Sequence, residues 1–492
     1  HPIEKITTRQ DSLKYKIKIW GFVKYFAKNT KNIDTDLVSL LHNKLSIEDF
    51  INKYYFVQKK PKKSNKVDTD LCLVKHYWIS NFGFLDKNMQ NKLWQMSKNR
   101  INNLNYEFKH HSSKEKHSKL SYSDLEKINY NNSIIGIARL WNYINYYYPH
   151  ICQLKNWENV LEESLVFVNN FVDYRDYLNA LKYIANETKD DHSSFNFNKN
   201  SQIKKYPNTL PVNYKSIENK LVITKIFKEN FALKINDTIL KINNKTLIEN
   251  KDFFVSKELK LETSPIRLSS DSNIVSIKRN NKILNIVLTK EDLMSGKKLF
   301  FLNWYKKDSM NFEAYNTLYV DGNQGTKSEY KYLKKNIENY ESFVLDLRGY
   351  PNNTKYFSSL FLKNGPVTYA LVRPVRNNPG KFKLQQIKQK KGKVKDQKIY
   401  VLVNQYTNSA SETECIELMN NPNVKFVGSY TSSSIGGKFQ KLILPGSFSF
   451  TTSTIGIVTS KKKNLHPNGI PINYLVEDEN DLEKEIIKIL KK

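Results

Sequence analysis

The stretch YVLVNQYTNSASETECIELM, residues 400–419, carries the strongest local signal in the chain. Its opening YVLV is a continuous apolar run, the pattern of a strand buried on both faces. Asn404 to Asn408 are mostly small or polar turn formers, and near Ser409 the spacing becomes that of a helix. A serine there sits at the positive end of a helix dipole, where backbone N–H groups can hold a developing oxyanion. The plainer reading is equally concrete: Ser409-Ala410-Ser411-Glu412 is a capping box, with Ser at N-cap and Glu at N3. This stretch alone leaves both open.

The same alternation extends around it. After Leu299 come SFVLDLRGYP (342–351), SETECIELMN (411–420) and VKFVGSYT (424–431), the pattern of an α/β domain with buried strands. Chemistry on such sheets gathers at the strand ends. The LDLRG strand ends with Asp346, Arg348 and Gly349, and a glycine lets the backbone approach a ligand closely. Against this, Gly-Tyr-Pro is an ordinary turn after a strand, and Asp346 with Arg348 can be a structural ion pair. From Tyr206 to about Lys290 the apolar period is two, in NKLVITKIF, DTILKINN, NIVSIKRN and KILNIVLTK, which predicts a small, mostly β module.

The first hundred residues read as helices, with helical apolar spacing in LKYKIKIWGFVKYF and DTDLVSLLHNKLSIEDFINKYYFV. VQKKPKKSNK (57–66) and KHHSSKEKHSKLS (109–121) interrupt the pattern and read as exposed connections. A second helical block begins near Ser121 and echoes the first: Trp20 to Phe26 lines up with Trp141 to Tyr147, each ahead of a polar stretch and an acidic helix. Their aromatic stripes read as core. His192 follows Asp190 and Asp191 at the end of this block, either as a base or as a dipole partner at a helix C-terminus. His110 and His111 read as solvated.

At 492 residues several cores are expected. No run of about 18 apolar residues offers a membrane span. Cys72, Cys152 and Cys415 form no C-x-x-C pair and lie beside no histidine at ligand spacing, so neither a disulfide framework nor a zinc site is expected. The net charge of +31 comes from lysine spread along the whole chain. That distribution argues against specific nucleic-acid binding and fits attraction to an anionic envelope surface.

Taken in order, RLWNYINYYYPH, NWENVLEESLVFV, YRDYLNALKYIANETKDDHSS, LKINDTILKINNKTL, LDLRGYP, TNSASETE and VGSYTSSSIGG resemble the tail-specific (C-terminal processing) serine peptidases, in the branch related to the tricorn core. The resemblance implies a multidomain α+β protein. It would have helical domains at 1–118 and 119–205, a PDZ-like domain at 206–292 and an α/β crotonase/ClpP-like core at 293–492. It also implies Ser409 as nucleophile, His192 as general base of an Asp-x-His motif, and the N–H groups of Gly349 and Ala410 as oxyanion hole. Polypeptide would be the substrate, with no metal or organic cofactor, in an exported, periplasmic or envelope protein. His1-Pro2, without Met, then fits a processed leader.

Other branches of the family use a lysine base about 25 positions after the serine; Ser434 stands there, with Lys438 close behind. The loop FALKIND (231–237) lacks the glycines usual before the PDZ-like strand. The segment TSKKKNLHPNGIPINYLV (459–476) lacks the acidic or amide group expected to orient the base, for which Glu412 is a candidate substitute. Two other function classes stay open: a peptide-binding protein that keeps the fold without turnover, and a basic protein that binds polyanions.

Overall fold

The structure, a computed structural model, describes residues 9–30, 32–58, 73–74, 76–83, 85–99, 128–197, 208–217, 220–246, 266–268, 272–295, 310–350, 357–362, 369–388, 392–394, 396–476 and 481–491. The connection 109–121 lies outside the described residues, as does most of 57–66. The chain forms two compact units that are discontinuous in sequence. One comprises 1–203, 370–386 and 436–457; the other comprises 204–369, 387–435 and 458–492. Both helical blocks therefore fall in the first unit, together with two strand segments from within the 293–492 span.

In the first unit the two blocks are built alike. The helices Arg9–Phe26 and Tyr130–Tyr147 are 18 residues each. Trp20 Nε1 donates to the carbonyl of Ile33, the first residue of the next helix, at 2.8 Å. Trp141 Nε1 donates to the carbonyl of Trp157, again the first residue of the next helix, at 3.1 Å. Each indole thus satisfies its one donor while holding the following helix against its own. The aligned motifs also meet. Tyr25 packs on Tyr146 with centroids 5.3 Å apart, and Phe26 on the same ring at 5.9 Å. A Cβ on Gly21 would lie 2.0 Å from Asn142 Cγ, so the glycine is needed for this approach. Asn142 cannot swing away freely, because it is buried and its Nδ2 donates to Ala138 O at 2.9 Å and Ile17 O at 3.3 Å.

This unit also carries a five-stranded sheet in which Ser194–Phe197 pairs with Phe448–Thr459, followed by Tyr369–Pro374 and Phe382–Ile387, while Gly436–Leu444 also pairs with Phe448–Thr459. Cys152, in the single turn Ile151–Gln153, is disulfide-bonded. That corrects the reading of the cysteines as unpaired: a disulfide needs proximity in space, and cysteines far apart in sequence leave no spacing signal. Cys415 is free and buried, and Cys72 lies outside the described residues.

The second unit contains a parallel sheet in the order Thr317–Asp321, Ser342–Asp346, Lys398–Val403, Val424–Gly428, Tyr474–Leu475. Every residue of Ser342–Asp346 is buried, as the continuous apolar run requires. Beside it in sequence is an antiparallel sheet in the order Val212–Ile217, Lys220–Ile226, Thr238–Ile242, Ser272–Arg279, Lys282–Thr289. The last hairpin turns on Asn280 and Asn281 at φ 47° and 62°, the left-handed pair that a two-residue turn demands and asparagine tolerates. Among the described residues no helix is long and apolar enough to cross a membrane.

Gly21→Ala is expected to destabilise the protein by about 1–3 kcal/mol through overpacking. Asn142→Ala in the same chain should recover part of that loss, because the two changes share one contact. Thermal melts of both single variants and the double variant check this.

Candidate active site

His192 belongs to the first unit. The preceding helix, Tyr174–Glu187, stops before the histidine. Lys189 takes φ 53°, which turns the chain out of the helix and carries 190–193 towards the strand Ser194–Phe197. His192 is therefore not a helix-terminal dipole partner; it lies in the turn beyond. Asp190 Oδ1 accepts from the His192 N–H at 2.9 Å and lies 2.9 Å from His192 Nδ1. Tyr148 OH donates to Asp190 Oδ2 at 3.2 Å, and Ser453 Oγ lies 3.1 Å from His192 Nδ1. Burial raises the Tyr148 hydroxyl well above its ordinary range, so it stays a donor. A carboxylate is an acceptor only, so its contact places the imidazole proton on Nδ1 and leaves Nε2 as the basic nitrogen. The Asp190 side chain is 2% exposed and that of His192 is 12% exposed.

Ser409 belongs to the second unit. The turn after Lys398–Val403 is tied down by Thr407: its hydroxyl donates to Leu347 O at 2.9 Å, and its N–H to Asn404 O at 2.9 Å. Ser409 then adopts φ 49°, ψ −102°, a conformation that L-residues rarely occupy and that costs of order 1–3 kcal/mol. Strain of this kind, on a sharp turn from strand to helix, is how an exposed serine nucleophile is presented. The helix Ala410–Leu418 begins at the next residue.

Ser411 Oγ donates to Gly349 O at 2.8 Å, which brings the LDLRG turn to the start of this helix. Gly349 sits at φ 107°, accessible to glycine and strained for other residues. Neither the Gly349 nor the Ala410 N–H has a hydrogen-bond partner among the described residues. Asp346 and Arg348 form a buried ion pair, Nη2 to Oδ2 at 2.7 Å, with Tyr319 OH also donating to Asp346 at 2.7 Å. Their role is to shape the turn.

Glu412 is fully buried and acts as a clasp. Its carboxylate accepts from Ser409 N at 3.2 Å, Thr431 Oγ1 at 2.6 Å, Ser432 Oγ at 3.3 Å and Ser433 N at 2.9 Å. The carboxylate arm of the capping box is thus in place, and the same group fastens the 431–433 segment to the helix start. Ser434 is buried, and its N–H donates to Ser432 Oγ at 3.3 Å. Lys438 falls in the strand Gly436–Leu444, and its side chain lies outside the described residues.

The structure thus gathers Gly349, Ala410, Ser409 and Glu412 in one unit and places His192 in the other. Sequence reading named Asp190 only as the first residue of the Asp-x-His motif, without an orienting role, and did not single out Tyr148 or Ser453, whose signal is spatial only.

A strand–turn–helix with a strained serine and open N–H groups beside it is the kind of geometry that a hydrolase nucleophile uses. Residues 310–476 match Peptidase family S41, and that segment contains Gly349, Ser409, Ala410 and Glu412. That segment is thus similar to the peptidases of family S41. Mature CPAF complexed with lactacystin aligns at 10% identity over 74% of this chain and 98% of that one, with a TM-score of 0.49. The photosystem II D1 C-terminal processing protease aligns at 11% identity over 73% and 97%, with a TM-score of 0.38. The tricorn protease aligns at 12% identity over 74% of this chain and 37% of that one, with a TM-score of 0.34. Comparison with curated proteins finds no match.

Ser409→Gly is expected to be more stable than Ser409→Ala by roughly 1 kcal/mol, because glycine alone relaxes at a positive φ. Chemical denaturation of the two variants measures the difference, and equal stabilities would remove the case for strain.

Proposed function

We propose that the protein is a serine endopeptidase in which His192 of the first unit is the base for Ser409 of the second. The observation that carries this reading is the Asp190–His192 contact at 2.9 Å, which fixes the tautomer that a base requires. It supplies the orienting group that the 459–476 segment lacks. His192 Nε2 takes the Ser409 proton as Oγ attacks the peptide carbonyl. The Gly349 and Ala410 N–H groups hold the oxyanion. The imidazolium then protonates the leaving amine, and water resolves the acyl-enzyme by the same route in reverse. Glu412, its oxygens already committed to the clasp, positions the helix start rather than the base.

On this reading the antiparallel module within 206–292 is PDZ-like and guides extended chains by strand addition. The S41 domain region would be crotonase/ClpP-like, and cleavage would fall near C-termini or in unfolded chains. Export to the periplasm or envelope is supported by the Cys152 disulfide, since such bonds persist in oxidising compartments.

A fluorophosphonate is expected to label Ser409 in the wild-type protein and to fail with Ser409→Ala and His192→Ala. Asp190→Asn should retard labelling by about two to four orders of magnitude without unfolding the protein. Absence of labelling, located by mass spectrometry, would leave a peptide-binding protein. Alkylation of denatured, unreduced protein should modify Cys415 and spare Cys152; modification of Cys152 without reductant would remove the support for export.

A further inference from the structure

We propose that a groove on the open edge of the parallel sheet, between the strand Thr317–Asp321 and the helix Lys327–Asn336, binds extended polypeptide and seats a lysine or arginine side chain from it. This rests on the peptidase reading only in taking that polypeptide to be substrate.

Among the described residues, Thr317–Asp321 pairs in its sheet with Ser342–Asp346 alone. Peptide groups alternate in direction along a strand. Beyond its end, Gly322 N–H reaches Asp346 O at 3.0 Å, on the paired side. Thr317 N–H goes instead to Phe312 O at 3.4 Å, on the other side. Tyr319 shares the direction of Thr317, so its N–H and C=O face the open edge, where no described residue bonds them. These are the groups that an added strand uses.

Along this edge runs a groove of about 390 Å³, lined among others by Tyr319, Asp321, Ser328, Glu329, Tyr332 and Phe357. Its described lining carries the carboxylates of Asp321 and Glu329 and no lysine, arginine or histidine, in a chain of net charge +31. The groove therefore reverses the sign of the surrounding protein, and charge complementarity selects a cation. The Thr326 N–H holds the Glu329 carboxyl below its usual range, so it stays charged. Tyr319 is fixed through its hydroxyl to Asp346, whereas Tyr332 is 56% exposed. Aromatic rings and carboxylates lining one groove suit an ammonium or guanidinium group. Asp321 is in register with Asp346, which shortly precedes Gly349, so the groove opens at the sheet end that carries Ser409. A chain lying there would be selected for a basic residue on one side of the bond cleaved.

The test uses the full chain as Ser409→Ala and two short fluorescent peptides that differ only in a central lysine or norleucine, read by anisotropy. The lysine peptide should bind roughly ten-fold more tightly. Glu329→Gln, which a capping box accepts, and Tyr332→Ala should each abolish most of that preference. Equal binding, no binding, or a preference that survives both variants overturns the proposal, as does self-association abolished by Tyr332→Ala, which would assign the groove to a second copy. Serine labelling reads the peptidase assignment separately: unlabelled Ser409 removes that assignment while the lysine preference stands, and the reverse.

Discussion

One buried carboxylate, Glu412, holds the surroundings of Ser409, the proposed nucleophile, together. Its carboxylate accepts from donors on Ser409, Thr431, Ser432 and Ser433. A buried anion is tolerated only when its acceptor sites are filled, and filling them here draws the helix start and the 431–433 segment into one arrangement. The clasp reaches further, because Ile470 N–H donates to Thr431 Oγ1 at 3.1 Å and His466 Nδ1 lies 2.9 Å from Ser433 O. The chain just before the last parallel strand is thus fastened to the turn that presents Ser409. The strain at Ser409 persists because its surroundings over-determine it.

His192, the proposed base, is held by a different device in the other unit. Asp190 gathers the His192 backbone, the His192 ring and the Tyr148 hydroxyl, and Tyr148 stands immediately before the Pro149-His150 turn and the disulfide-bonded Cys152. Packing is tight there as well: a Cβ on Gly456 would lie 2.8 Å from His150 Cε1. The surroundings of Ser409 and of His192 are therefore each held within one unit, by a carboxylate in each case. Only the role of the carboxylate differs, since Glu412 fixes backbone and Asp190 fixes a tautomer.

Much of this was legible in the chain. The apolar run, small-residue turn and helical spacing of 400–419 gave the strand–turn–helix because each element's local preference agrees with its burial. The Asn-Asn turns and period-two runs gave the antiparallel sheet for the same reason, and the paired tryptophan motifs pointed to helices that the structure shows bonded in the same way. What stayed hidden depends on contacts between distant segments. The discontinuous first unit cannot be seen from chain order, since residues 370–386 and 436–457 carry ordinary strand patterns and nothing local says which sheet they join. The disulfide at Cys152 is hidden by the same distance. Asp190 was read as part of the Asp-x-His motif but not as the orienting group, which was sought in the segment 459–476 although this carboxylate stands two residues away. Capping box and nucleophile position, read as alternatives for Ser409, are compatible: the Glu412 carboxylate takes the backbone N–H, and a hydroxyl that accepts within such a box keeps its own proton.

The central claim is that a base preorganised in one unit serves a nucleophile presented by the other, and the most direct test is a crystal structure of the protein with a peptide-like inhibitor bonded to Ser409. The account predicts His192 Nε2 within about 3 Å of Ser409 Oγ, and the inhibitor oxygen on the N–H groups of Gly349 and Ala410. A covalent adduct on Ser409 with His192 still bound to Asp190 but out of reach of the serine, and another group in its place, would contradict it.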